Sequence, residues 1–469
     1  MSDSNNQFQS IFDSLQAHAP VIANSTAAER IDKLQRLYKA VYDLRDEISK
    51  AGLAELGMDG RFHLLPLKAE VDFICQHLAG WMEREVVEDD PALQGRTGYI
   101  HYEPKGVVLH LATWNSPVLI SLSPALAMIA AGNAVIIKPS EIAPDSAEIV
   151  CKAIANAGLA DEVAVVTGGA EVAQDLLALP FNHISYVGNN RIGRLVMAAA
   201  AENFAGVTLE MGGKNPVIIA GDADIEDAAA KIGFARMIIA GQVCLAPDYI
   251  LVENSVKDQF IEAMQNKIDA MFNPTGAGIE SSGDFARIVN ERHTNRIKAL
   301  VDEAVSMGAQ IAYGGTIIPE KKYVEPTIIT GVTEDMEIFH EEIFGPVMFV
   351  QGYDSPAEVV TEIGKRPKPL ALYVFTQNRE TADWFINHTR AGTSAVNNAV
   401  IQANIPTLPF GGSNHSGIGR LGGHAGFLEF SNGRAVVEDA LIPGEGTPMM
   451  YPPFPEDAIT FIDMMLEPK

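Results

Sequence analysis

The chain has 469 residues, room for about three domains at roughly 150 residues each, and its 47% hydrophobic and 20% charged content is that of a globular protein. Sixty acidic against 34 basic residues leave a net charge of −26, which excludes nucleic acid as a partner because phosphate binding needs Lys/Arg clusters and none is present. Three cysteines, Cys75, Cys151 and Cys244, with no Cys-x-x-Cys, form neither a disulfide framework nor a zinc site and suit a reducing cytosol.

Met1 to Asn24 is polar and lacks the basic and apolar segments of a signal peptide. Residues 26–90 read as mostly helical. Thr26 and Glu29 have capping-box spacing, and Ile31, Leu34, Leu37, Val41 and Leu44 then recur at helical intervals. A second helix over about 65–85 carries Leu67, Val71, Ile74, Leu78 and Trp81, and a strand follows at Tyr99–Glu103. From Gly106 to Ile137 no Asp, Glu, Lys or Arg occurs. His110, Asn115, Pro117, Pro124, Gly132 and Asn133 break that stretch, so it reads as strand, helix, strand rather than a membrane span. Apolar strands at 107–111, 134–137, 163–166 and 183–187 alternate with helices and predict a parallel sheet covered on both faces. The fold class is therefore α/β, with a doubly wound, Rossmann-like unit whose ligand lies at the carboxyl ends of the strands. A second α/β segment spans 211–396, with strands near 215–219, 249–252 and 371–375, and the tail from 397 is rich in Gly, Pro and Asn.

Five runs carry residues that could do chemistry. In Gly241-Gln242-Val243-Cys244-Leu245-Ala246-Pro247, Cys244 has no adjacent cation, so activation as a nucleophile must come from the fold; alone it reads more readily as a small buried hydrophobe. In Leu209-Glu210-Met211-Gly212-Gly213-Lys214-Asn215-Pro216, Glu210 at a strand end could reach a cleft where burial raises its pKa, or sit in a solvated turn. Asn115, in Thr113-Trp114-Asn115-Ser116-Pro117, could aim an amide at an oxyanion or simply occupy a turn. Lys138-Pro139-Ser140-Glu141 follows a strand where dinucleotide folds bind ribose, and Val187-Gly188-Asn189-Asn190-Arg191-Ile192-Gly193-Arg194 joins strand to helix without the G-x-G-x-x-G spacing.

In this order the five runs, continued by Glu341-Glu342-Ile343-Phe344-Gly345-Pro346 and Leu408-Pro409-Phe410-Gly411-Gly412, resemble the aldehyde dehydrogenase superfamily from about residue 26 to 455. Tyr99–Pro104, Arg366-Pro367-Lys368-Pro369-Leu370-Ala371-Leu372-Tyr373 and Tyr451-Pro452-Pro453-Phe454 resemble its class 3 branch, including bacterial enzymes described as coniferyl aldehyde dehydrogenases. The resemblance implies NAD, with NADP possible, as cofactor, and an aldehyde oxidised to its acid. Cys244 would form a thiohemiacetal, Asn115 and the Cys244 N–H would hold the oxyanion, and Glu210 would activate the water that hydrolyses the ensuing thioester. Lys138 and Glu141 would contact the adenosine ribose; Gly188, Asn189 and Gly193 would border the pyrophosphate; Glu342 and Phe344 would place the nicotinamide. Trp114, Val118, Val243, Leu245 and Phe410, all apolar, would line the tunnel for an aromatic or medium-to-long aliphatic aldehyde. No metal is implied. Expected domains are residues 1–92 and 105–210 for cofactor, 211–396 for catalysis, and 93–104 with 397–469 for oligomerisation, as a cytoplasmic homodimer. A CoA-acylating dehydrogenase and a non-catalytic binding protein are the alternatives. Three departures stand out: Asn189 where many members have Ser, Leu421-Gly422-Gly423 where class 3 commonly has Tyr-His-Gly, and Ile239-Ala240 for the usual Asn-Ala.

Overall fold

The computed structural model describes residues 7–88, 90–93, 95–441, 452–454 and 457–468; Tyr451 lies outside them. Four helices open the chain: α1 (Gln9–Ala23), α2 (Ala27–Asp43), α3 (Arg45–Leu56) and α4 (Leu64–Trp81). At the start of α2 the Thr26 side chain accepts from the Glu29 N–H while the Glu29 carboxylate accepts from the Thr26 N–H, the capping box expected from the spacing. The second expected helix is α4, ending at Trp81 rather than 85. Helix α1 was not foreseen: Phe12, Leu15 and Ile22 lie on one face and bury against Phe181 and Leu176.

Among the described residues three larger sheets and one two-stranded pair follow. Strands β1 (Glu85–Val87) and β2 (Thr97–Pro104) begin an antiparallel one. The doubly wound unit is then laid down as β3 (Val107–Leu111), α5 (Pro117–Ala131), β4 (Ala134–Lys138), α6 (Pro144–Asn156), β5 (Val163–Val165), α7 (Ala170–Leu177), β6 (His183–Gly188), α8 (Asn190–Glu202) and β7 (Gly206–Met211). Its alternation is the cause of its two covered faces. Val108, Val135 and Ile137 pack under α2, α4, α5 and α6, while Val107, Leu109, Leu111 and Ile136 pack under α1, α7 and α8. The charge-free stretch is thus β3, α5 and β4, and among the described residues no helix is long and apolar enough to cross a membrane.

The second unit contains β8 (Pro216–Ile219), α9 (Ile225–Met237), β9 (Tyr249–Glu253), α10 (Lys257–Phe272) and α11 (Glu291–Ser306). It continues through β10 (Gln310–Tyr313), the small pair β11 (Ile317–Ile318) and β12 (Tyr323–Val324), then β13 (Thr327–Thr330), β14 (Val347–Tyr353), β15 (Ala371–Phe375) and β16 (Thr393–Val396). Its sheet runs β10-β13-β14-β9-β8-β15-β16, parallel apart from β10. The chain then returns: β17 (Gly417–Ile418) pairs antiparallel with β7, completing the first sheet as β17-β7-β6-β3-β4-β5, and β18 (Ser431–Glu438) pairs along the whole of β2. The expected boundaries at 92/93 and 396/397 cut across this pairing, since β1 already belongs with β2 and β18, and residues 417–429 pack back on the first unit.

One buried bond holds α5 on its sheet. Pro124 lacks the N–H that would bond Ile120 O within the helix, and buried His110 of β3 supplies the missing donor, Nε2 to Ile120 O at 2.8 Å. Because that carbonyl can only accept, His110 Nδ1 is the acceptor for Ser185 Oγ at 3.1 Å, and burial depresses the imidazole pKa to about 4, keeping it neutral. His110→Leu should destabilise the protein by about 1–3 kcal/mol, the cost of an unpaired buried carbonyl. Adding Pro124→Ala, which restores a helical N–H, should recover part of that loss in a chemical-denaturation double-mutant cycle.

Candidate active site

The site lies where the carboxyl ends of β3, β4, β6 and β7 face the amino-terminal approach to β9. Between α9 and β9 the backbone makes three consecutive left-handed residues, Ile239 (φ 51°), Ala240 (φ 50°) and Gly241 (φ 72°). Gly241 is required twice over, by its φ and because a Cβ there would lie 2.2 Å from the Gly345 carbonyl oxygen. Ile239 in this region carries strain of about 1–2 kcal/mol, and it is held by packing among Leu56, Trp114 and Val289. Replacement of Asn-Ala by Ile239-Ala240 is thus a change of backbone strain as well as of packing, since Asn tolerates the left-handed region and Ile does not.

The turn delivers Gln242, Val243 and Cys244. Gln242 is fully buried and saturated: its amide donates to Ile239 O and Arg287 O, each at 2.9 Å, and its Oε1 accepts from the Val289 N–H at 2.9 Å. Asn115 Nδ2 donates to Gln242 O at 2.9 Å, which orients the amide, and Asn115 Oδ1 is buried without a partner. Beyond the cysteine, Asn215 Nδ2 donates to Cys244 O (2.7 Å) and Ala246 O (3.1 Å), and the Tyr373 hydroxyl donates to Leu245 O (2.8 Å). Cys244 itself remains partly exposed between these fixed neighbours.

The run after Glu210 assembles the rest. Glu210 is buried at the end of β7, with Oε1 unpartnered. Burial raises its pKa to about 7, against a hydrogen bond from the Cys244 thiol that lowers it. The thiol is pushed well above its ordinary value, first by burial, then by Glu210 and Glu342. Gly212 has no side chain because the Glu342 carboxylate occupies its place: a Cβ would sit 2.1 Å from Glu342 Oε2. Burial first, then nearby Asp248, raises Glu342 to about 8, while the Gly213 N–H lowers it. Phe344, left-handed at φ 48°, meets Trp114 edge-on with ring centroids 5.6 Å apart, and Trp114 also contacts His293 at 5.2 Å.

The residues expected at the cofactor's adenosine and pyrophosphate lie on the first sheet. Lys138, buried at the end of β4, donates to Pro139 O and pairs with the exposed Glu141, both at 3.2 Å. Beside them a cavity of about 410 Å³ is lined by Pro139, Ser140, Glu141, Ala147, Cys151, Thr167 and Gly168. Asn189 caps α8, its Oδ1 accepting from the Ile192 N–H at 3.1 Å, so Asn does here what Ser would do. Gly188 gives way to the Tyr186 hydroxyl, which would be 2.2 Å from a Cβ, and Gly193 inside α8 gives way to Met211 Sδ at 2.5 Å. Gly193 thereby lets α8 pack closely on β7. A helix amino terminus after β6, a buried lysine and a nucleoside-sized cavity between β4 and β5 fit a dinucleotide.

Of the apolar residues expected at the tunnel, Trp114 and Val243 share a small cluster with Phe344. Phe410 packs against the second core and pairs with Leu421, N–H to O at 2.9 Å. Val118 and Leu245 are buried within the first and second cores. In the altered segment, Gly422 and Gly423 are both left-handed, and a Cβ at Gly423 would lie 2.0 Å from Pro406 O and 2.7 Å from the Phe73 ring. Residues missed from sequence are Gln242, Asn215, Tyr373, Asp248 and Arg296, whose contacts run to backbone atoms of distant segments. No group of three or more His, Cys, Asp or Glu is placed to hold a metal among the described residues.

Residues 2–436 match the aldehyde dehydrogenase family. The dimeric NADP-preferring aldehyde dehydrogenase of Rattus norvegicus is 36% identical over 433 residues, 91% of this chain and 93% of its own. Aldehyde dehydrogenase family 3 member A2 of Rattus norvegicus is 33% identical over 441 residues, 93% and 90%. The substrate-bound AldH of Staphylococcus aureus superposes with a TM-score of 0.91 at 32% identity, covering 98% of this chain and 99% of that one. The chain belongs to the aldehyde dehydrogenase family, in its class 3-like branch. Its activity is NAD(P)-dependent oxidation of an aldehyde to a carboxylic acid.

Two outcomes follow from the geometry. Gly241→Ala should abolish turnover and lower thermal stability, because backbone rather than a movable side chain stands in the way of the new methyl. Iodoacetamide should alkylate Cys244 slowly at pH 7, and Glu342→Gln should quicken the reaction at pH 9, where the native Glu342 carries the charge that opposes the thiolate.

Proposed function

We propose that Cys244 is the nucleophile, Glu210 the general base and Asn115 the oxyanion donor for oxidation of an apolar aldehyde, aromatic or of medium to long chain, by a hydrolytic route. The observation that carries this reading is the direct contact of the Cys244 thiol with a buried carboxyl group whose pKa stands near 7. Glu210 takes the thiol proton as sulfur adds to the carbonyl carbon. The oxyanion of the resulting thiohemiacetal is stabilised by Asn115 Nδ2, which bonds Gln242 O through one hydrogen and has a second to offer. The chemistry supplied by bound NAD(P)+ is that of a hydride acceptor, which turns the thiohemiacetal into a thioester on Cys244. Glu210, having passed the thiol proton on to solvent, then takes a proton from the water that adds to the thioester and returns it to the departing sulfur, releasing the acid and the free thiol. A group with pKa near 7 can both accept and release that proton near neutrality.

Lys138 and Glu141 are assigned to the adenosine ribose, the α8 terminus with Gly188 and Asn189 to the pyrophosphate, and Glu342 with Phe344 to the nicotinamide side. Charge repulsion between Glu141 and a 2′-phosphate supports NAD as the preferred cofactor, with NADP tolerated through Lys138. Trp114, Val243 and Phe410 are the apolar groups assigned to the aldehyde. The β1-β2-β18 sheet, whose Val86, Val87 and Val437 are exposed, is assigned to a homodimer interface. Three free cysteines support a reducing, cytoplasmic setting. Hydrolysis rather than thiolysis by CoA is supported by Glu210 itself, and acid formation without CoA separates the two.

With NAD+ and cinnamaldehyde, without CoA, the protein should form NADH and Cys244→Ala should not. Glu210→Gln should slow the pre-steady-state formation of NADH and lower steady turnover about 10²–10⁴-fold. In the unsubstituted protein thioester hydrolysis should fall as pH drops through about 7 and Glu210 protonates. A Glu210→Gln variant with undiminished steady turnover would refute the assignment. Glu141→Gln should raise kcat/KM for NADP relative to NAD, and an unchanged ratio would count against its place at the ribose.

A further inference from the structure

The loop Glu341–Gly345 carries Glu342 and Phe344, yet no helix or strand includes it. It is held by side chains from three other segments, and every one of their bonds goes to its backbone. Asp248, four residues after Cys244 and 1% exposed, accepts the Ile343 N–H on Oδ2 at 2.9 Å. Its Oδ1 is paired with the buried ammonium of Lys214, which also donates to Glu341 O at 2.9 Å. Arg296 of α11 donates to Glu342 O at 3.2 Å and to Ile343 O. Three consecutive residues of the loop are thus fixed at their peptide groups, leaving the Glu342 and Phe344 side chains free to face the site.

We infer that Asp248, with Lys214 and Arg296, forms a clamp that sets the distance between the nucleophile segment and the nicotinamide-facing loop. Asp248 is the hinge of the clamp because it belongs to the segment that carries Cys244. The inference rests on the assignment of Glu342 and Phe344 to the nicotinamide side. It explains why the position holds a carboxylate: two acceptor atoms are needed, one for an ammonium and one for an N–H. Asparagine has a single acceptor and would turn an NH2 group towards one of the two donors. Cys244 itself is supported by Asn215, and the turn before it by Gln242, through bonds in which Asp248 takes no part. Asp248 is therefore a positioning residue for the cofactor side of the reaction.

The test compares Asp248→Asn and Arg296→Met with the unsubstituted protein in three measurements. Hydrogen exchange followed by mass spectrometry on cofactor-free protein should show faster exchange in a peptide spanning Ile343. NAD+ should bind at least tenfold more weakly by titration calorimetry. The ratio of aldehyde oxidation to cofactor-free hydrolysis of p-nitrophenyl acetate should fall at least tenfold. Arg296 is only partly buried, so its variant decides the matter if Asp248→Asn fails to fold. Unchanged exchange, or a proportional fall of both activities with unchanged NAD+ affinity, would overturn the clamp. Glu342→Gln is measured alongside. If it weakens NAD+ binding while the clamp variants do not, the clamp alone is refuted; if it leaves binding and oxidation unchanged, the assignment beneath the clamp falls with it.

Discussion

Everything at the site depends on one backbone approach, that of Gly241 to the Gly345 carbonyl. Two segments about a hundred residues apart in the chain touch there with no side chain between them. One carries Cys244 and the other carries Glu342 and Phe344. The approach is possible only because the chain turns left-handed over Ile239, Ala240 and Gly241. The strain of that turn is offset by the saturated bonds of Gln242 and by the burial of Ile239. Strained backbone persists where its surroundings over-determine it, and here the surroundings are the reacting groups' own supports.

The second constraint is electrostatic. Glu210 and Glu342 sit near Cys244 in a region poor in water, and both are raised towards or above neutrality by burial. The same burial keeps the thiol protonated. Burial and the two carboxyl groups therefore oppose ionisation of the thiol, which limits the exposure of a reactive thiolate to adventitious electrophiles. Asp248 differs from them in its partners, since Lys214 and Arg236 lie against it. The carboxylate paired with buried cations is a fixture of the loop, and Glu210, buried beside the cysteine, is the acid raised to about 7.

Much of the fold was legible because its signals are local. Strands β3 to β6 are short apolar runs between helical stretches, and α2 announces itself by Thr26, Glu29 and the leucines after them. Cys244, Glu210 and Asn115 became candidates only through the order of their motifs; each alone had a structural explanation at least as good. The unforeseen parts depend on distance in sequence. Helix α1 declares its apolar face through three widely spaced residues, Phe12, Leu15 and Ile22, in an otherwise polar segment. Strand β17 is two residues long and owes its existence to β7. Asp248 reads as an ordinary charge before a strand, and nothing local shows that its partners are Lys214 and Ile343. Buried charge networks are written in tertiary contacts, so periodicity is silent about them.

The departures from the family pattern resolve into backbone arguments of the same kind. Asn189 keeps the cap of α8 with a different side chain, so the helix amino terminus faces the cofactor side unchanged. Gly422 and Gly423 take left-handed conformations, and Gly423 threads between Pro406 O and Phe73 where any Cβ would collide. A bulkier pair could not follow this path. The residue just before them, Leu421, is tied to Phe410 through its backbone, N–H to O in both directions. The local path of the chain therefore fixes where Phe410 stands, and the glycines bear on the proposed aldehyde side through that pairing. Side-chain identity at 421 is then free to vary without touching the bonds around Cys244, which come from Asn215, Gln242 and Tyr373. The segment that sets Phe410 and the segments that support Cys244 are thus distinct, and the chain departs from the family pattern at Leu421-Gly422-Gly423 while those supports stand.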